Sequence, residues 1–83
     1  MSKSEMNFEV ITIQREVIYV RAYPDSESAG LFSSREFYIV ERFERGLFGG
    51  KYNFQKLGEA SDVSGIGRVI KSMIDNVSKI NAV

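Results

Sequence analysis

Residues 63–80, VSGIGRVIKSMIDNVSKI, decide how the chain folds. Their apolar members Val63, Ile66, Val69, Ile70, Met73, Ile74, Val77 and Ile80 recur at steps of one, three or four, and so share one side of an α-helix. Ser64, Arg68, Lys71, Ser72, Asp75, Asn76 and Lys79 occupy the other side, where water solvates them. The spacing predicts one amphipathic helix over residues 62–81, with Ser61 or Asp62 as its N-cap. Such a helix is marginal in isolation, because its stability comes from the surface it packs on. The rest of the chain has to supply that surface.

Upstream the apolar period falls to two. Residues 8–15 (FEVITIQR) and 17–23 (VIYVRAY) are rich in β-branched and aromatic residues and read as two strands of a hairpin turning at 14–17. Pro24 cannot donate to a ladder and is expected to end the second strand. Residues 24–34 (PDSESAGLFSS) read as a loop. A second hairpin follows, from 35–45 (REFYIVERFER) through a glycine-rich turn at 46–50 (GLFGG) to 51–57 (KYNFQKL). The expectation is a single α+β domain over residues 1–83, with a flexible tail at 1–5 and no internal repeats. It comprises a four-stranded, largely antiparallel sheet within 6–57 and one C-terminal helix on one face, in the order ββββα. One helix covers one face, yet both faces carry large residues: Val17, Tyr19 and Tyr23 alternate with Ile18, Val20 and Ala22. The surplus on the uncovered face points to a dimer interface or a partner site.

Composition narrows the function. Eleven basic residues balance eleven acidic ones, and residues 1–58 and 59–83 are each neutral. A protein that grips nucleic acid through its phosphates usually carries a basic excess, so the balance disfavours that role. There is no cysteine and no histidine, which removes thiol chemistry, the commonest general base and the commonest metal ligand. No catalytic constellation is recognisable, and no cofactor or metal is expected. The polar start and the lack of any long apolar run point to the cytoplasm and away from a membrane.

Three features stand out. Ser64-Gly65-Ile66-Gly67-Arg68 places two glycines in the first turns of the helix, at a cost of roughly 1 kcal/mol each against alanine. Close packing or a frayed helix start explains them better than an anion site, since neither a dinucleotide fingerprint nor a phosphate loop is complete. Leu47 and Phe48 sit at a hairpin tip between glycines, where they either fold back onto the core or grip a partner. Tyr19, Tyr23, Tyr38, Arg21 and Arg42 lie on strands. Tyrosine and arginine suit protein interfaces and can also stack unpaired bases, but Glu36, Glu41 and Glu44 among them would repel phosphates. Leu47, Phe48, Tyr19, Tyr23, Arg21, Tyr38 and Arg42 are therefore the candidate partner-binding residues, with ordinary cross-strand packing as the alternative for the strand members.

Residues 64–73 (SGIGRVIKSM) resemble the start of the last helix in small phage-encoded anti-CRISPR proteins, which also place antiparallel strands before a C-terminal helix. The order ββββα is similar to that of single-strand-binding repeats of the PUR type. Both resemblances imply a binding protein without catalysis. The first implies an inhibitor of a host defence complex, and the second implies a single-stranded nucleic-acid-binding domain. Protein contact is the expected mode, with a homodimer as a further expectation.

Overall fold

The computed structural model describes residues 5–28, 30–45 and 52–83, the side chains of Arg45 and Tyr52 excepted. The elements are β1 (Met6–Thr12), β2 (Val17–Ser28), β3 (Ser34–Arg45), β4 (Tyr52–Ala60), α1 (Val63–Met73) and β5 (Val77–Ala82). The strands form one sheet in the order β4-β3-β2-β1-β5, each neighbouring pair antiparallel. The α+β class, the antiparallel sheet and the helix near the C-terminus hold as expected. The strand count does not: there are five, and the helix ends seven residues before Ile80.

Two local features cause that difference. Asn76 has φ +60°, a left-handed conformation that asparagine tolerates, and it turns the chain out of the helix after Ile74. In β5, Ile80 pairs with Val10, Lys79 with Ile11 and Val77 with Thr12, so Ser78 is a bulge. The bulge turns Val77 and Ile80, three residues apart, toward the same face. In the sequence that spacing reads as one more helical turn.

Register assigns the two faces. Phe8 and Val10 on β1, Ile18, Val20 and Ala22 on β2, and Tyr38 and Val40 on β3 lie under the helix. Ile66, Ile70 and Ile74 close the core from above, while Val63 and Met73 remain exposed despite the helical period. Leu57 is the extra residue of a second bulge, opposite Val40 and Glu41, and is buried in the same core. A Cβ on Gly58 would come within 3.2 Å of Val69 Cγ1, and one on Gly65 within 3.2 Å of Ala60 Cβ, so these two glycines let α1 lie close to β4. Nothing in the structure explains Gly67. Asp62 is the N-cap: its carboxylate accepts the Gly65 N–H at 2.8 Å and the Ser64 hydroxyl at 2.9 Å, and these bonds hold it below its ordinary pKa.

The β1–β2 hairpin turns at residues 13–15. The Arg15 N–H reaches the Thr12 carbonyl at 2.9 Å, and Arg15 sits at φ +67°, the position glycine usually takes in a three-residue hairpin loop. Arg15→Gly is expected to stabilise the fold by about 0.5–1 kcal/mol, a rise in Tm of a few degrees in a thermal melt. A fall in Tm would show that arginine is not strained there.

Pro24 does not end β2. Beyond Ala22, β2 has lost β1 as a neighbour and pairs with β3 alone, and such an edge tolerates proline. Pairing continues to Ser28 opposite Ser34, so much of the expected loop is strand. Four ladder pairs lie beyond Tyr38, the last β3 residue backed by β4, and they form a two-stranded arm projecting about 13 Å from the sheet. The molecule measures 47 × 29 × 22 Å, and its radius of gyration of 14.3 Å exceeds the roughly 12 Å of a compact domain this size.

Candidate binding face

The face turned away from α1 is built from the odd-numbered residues of β1, β2 and β3. Tyr19, Arg21 and Tyr23 project from β2, Phe37, Ile39, Glu41 and Phe43 from β3, and Phe54, Lys56 and Glu59 from β4. Strict alternation along β2 puts the first three on one side, and cross-strand register brings the others against them.

Arg21 is the centre of this face. Its Nε–H donates to Glu41 Oε1 at 2.8 Å, its Nη1 lies 3.6 Å from Glu5, and its guanidinium carbon stands 3.3 Å from the Phe54 ring centre and 5.4 Å from that of Tyr23. A guanidinium over aromatic faces is held by the ring quadrupole as well as by packing. Phe43 meets Phe54 edge to face at 5.3 Å. Together Asn7, Tyr19, Arg21, Phe43 and Phe54 line a shallow, mostly apolar depression. Tyr19 remains 54% exposed and Phe54 41%, and Ile13 and Val17 extend the exposed apolar surface toward the β1–β2 turn. Burial, followed by the Glu41 carboxylate, raises the pKa of the Tyr23 hydroxyl.

A second cluster lies where the arm leaves the sheet. Arg35 spans Glu27 at 2.7 Å and Glu59 at 3.1 Å, and Lys56 holds the second oxygen of Glu59 at 2.8 Å. The hydrogen bonds from Lys56 and then Arg35 lower the pKa of Glu59. The Arg35 guanidinium also covers Phe37 at 4.5 Å, which helps bury that ring on a face the helix does not reach. On this face Arg21, Arg35 and Lys56 are thus each engaged with carboxylates.

The candidate residues divide between the faces. Tyr19, Arg21 and Tyr23 come together on the open face. Tyr38 and Arg42 point to the helix side: Tyr38 packs against the core, and Arg42 Nε is buried without a hydrogen-bond acceptor, 3.8 Å from Glu44. Leu47 and Phe48 lie outside the described residues, as does most of the tail expected at 1–5. Among the described residues, no three acidic side chains gather where they could ligate a metal ion.

Sequence reasoning missed Phe54, which caps Arg21, and the tip of the arm, where Leu31 is 94% exposed and Phe32 fully exposed. A signal was available. Gly30-Leu31-Phe32-Ser33-Ser34-Arg35 repeats the pattern of Gly46-Leu47-Phe48-Gly49-Gly50-Lys51, a short internal repeat where none was expected. No family model, curated protein or solved structure matches the chain.

Proposed function

We propose that the chain is a non-enzymatic binding protein that acts through protein–protein contacts, and that the Tyr19–Arg21–Phe54 face is where it binds. One observation carries this reading: a partly exposed aromatic and arginine cluster whose cations are already paired with carboxylates. Tyrosine and arginine on rigid strands are the side chains that dominate binding energy at protein interfaces. A phosphate backbone would have to compete with Glu41, Glu27 and Glu59 for the same cations, and the neutral net charge supplies no field to help it. The partner we favour is a complex of a host's defence machinery, inhibited by a phage or mobile-element protein in the cytoplasm. That choice rests on the resemblance over residues 64–73, a segment within α1.

The second reading, a single-stranded nucleic-acid binder, rests on the same aromatic residues serving as a stacking platform. Titration with labelled single-stranded DNA and RNA at two salt concentrations separates the two. The expected result is no binding tighter than about 100 μM at physiological salt. Submicromolar binding that weakens steeply with salt would install the second reading. In parallel, the wild type and a Tyr19→Ala/Phe54→Ala variant serve as baits in cells. A partner held by the wild type should be lost from the variant by a factor of ten or more, while the variant keeps a cooperative melt at a somewhat lower Tm. Equal capture by both baits would move the binding site off this face.

A further inference from the structure

The arm has no evident folding reason to end in Leu31 and Phe32. Its turn needs a glycine at Gly30, which has φ +145°, and the Ser28 hydroxyl closes it by donating to the Gly30 carbonyl at 3.1 Å. The two apolar side chains touch almost nothing of their own chain. They cannot turn back onto it without breaking the four ladder pairs that carry them outward.

The chain offers a receptor for them on another copy. Between β4 and α1 runs an open groove of about 320 Å³ lined by Leu57, Gly58, Val69, Ser72 and Met73, with Arg68 and Glu59 at its rim. Bare backbone at Gly58 makes part of its floor, and Met73, 55% exposed, supplies an adaptable apolar wall. Glu59 is engaged by Arg35 and Lys56. The charges are complementary. Residues 24–36 carry Asp25, Glu27 and Glu36 against Arg35, a net of −2, whereas α1 carries Arg68 and Lys71 with no acidic residue, a net of +2. The acidic arm is unsuited to an anionic membrane surface.

We infer that the β2–β3 arm of one copy docks Leu31 and Phe32 into the β4–α1 groove of a second copy. The contact is between unlike surfaces, and two such contacts made reciprocally close a two-fold dimer. It uses neither Tyr19 nor Arg21, and so stands independently of the partner proposed for the open face.

Sedimentation velocity across the micromolar to submillimolar range tests it with two variants. Leu31→Ser/Phe32→Ser disables the arm, and Arg68→Glu reverses the exposed rim of the groove. The wild type is expected to dimerise. Each variant alone is expected to be monomeric and to fold, with a thermal midpoint matching that of the wild type at dilutions where the wild type is itself monomeric, because both sites are exposed. An equimolar mixture of the two retains one intact arm and one intact groove. It is expected to form a heterodimer at least tenfold weaker than the wild-type dimer. A wild type that stays monomeric, variants that self-associate like the wild type, or a mixture that stays monomeric would each overturn the inference. None of those outcomes bears on the capture experiment with the Tyr19→Ala/Phe54→Ala bait.

Discussion

Ile70→Asp is expected to leave the chain without a cooperative unfolding transition at neutral pH, whereas Met73→Asp, one turn further along the same helix, is expected to fold. Ile70 is fully buried, packed in the cluster that contains Val10, Val20, Val40 and Ile66. Losing an isoleucine from such a site costs roughly 2–5 kcal/mol through lost burial and a cavity. The carboxylate that replaces it has no cation within the cluster, and a buried unpaired charge costs several kcal/mol more. A domain of this length has roughly 4–12 kcal/mol to lose. Met73 is more than half exposed, so an aspartate there keeps its water and costs about 1 kcal/mol or less. Far-UV circular dichroism and a thermal melt separate the two. A sigmoidal melt for Ile70→Asp near the wild-type temperature would mean that α1 does not seat Ile70 in the core.

The contrast between these two positions shows how much of the fold the sequence carried. Helical periodicity placed Ile66, Ile70 and Ile74 on one side, and all three are core residues. The same periodicity enrolled Val63, Met73, Val77 and Ile80, and it failed at both ends of the helix. At the start, Val63 is more than half exposed although the period puts it on the side of Ile66 and Ile70. At the end, a helical spacing of three and a bulged strand spacing of three are the same string of letters. What distinguishes them is the pairing of β5 with β1, some seventy residues earlier in the chain. No local rule contains that information. Pro24 misled for a related reason, since its effect depends on whether a third strand lies beside it, and beyond Ala22 β1 does not.

The candidate face was legible to the extent that alternation governs it. Tyr19, Arg21 and Tyr23 share a side by the pleat alone, and so do Phe37, Ile39 and Phe43. Bringing Phe54 onto Arg21 required the β3–β4 register, and pairing Arg35 with both Glu27 and Glu59 required three strands at once. Tyr38 and Arg42 differ from Tyr23 and Arg21 only in parity, and parity moves them to the helix side. Composition alone cannot make that distinction. The exposed Leu31–Phe32 tip was hidden by its own surroundings, because serine, glycine and proline around it read as loop and drew attention from the two residues that are not.

Removing residues 77–83 is expected to abolish the fold, and this result separates a five-stranded sheet from a longer helix most sharply. In the structure β5 is the outer neighbour of β1, with the Val83 N–H on the Asn7 carbonyl at 2.9 Å and the Ile13 N–H on the Asn76 carbonyl at 2.8 Å at its two ends. Without it, β1 becomes an edge strand and Val10 and Thr12 lose cover on one side. Val77 and Ile80, both half-buried against the core, together contribute roughly 2–4 kcal/mol of burial. The backbone ladder adds about 0.5–1.5 kcal/mol net for each hydrogen bond lost. Summed over a six-residue strand, the loss is comparable with the roughly 4–12 kcal/mol that a domain of this length possesses. Were these residues only the last turns of a helix, their removal would fray an end and cost about 1–3 kcal/mol. The truncated chain should therefore show no cooperative melt and should bind hydrophobic dyes, with its helical signal lost along with the sheet. A truncated chain melting within about 10 °C of the full-length protein would show that β5 is dispensable and would return residues 77–80 to the helix.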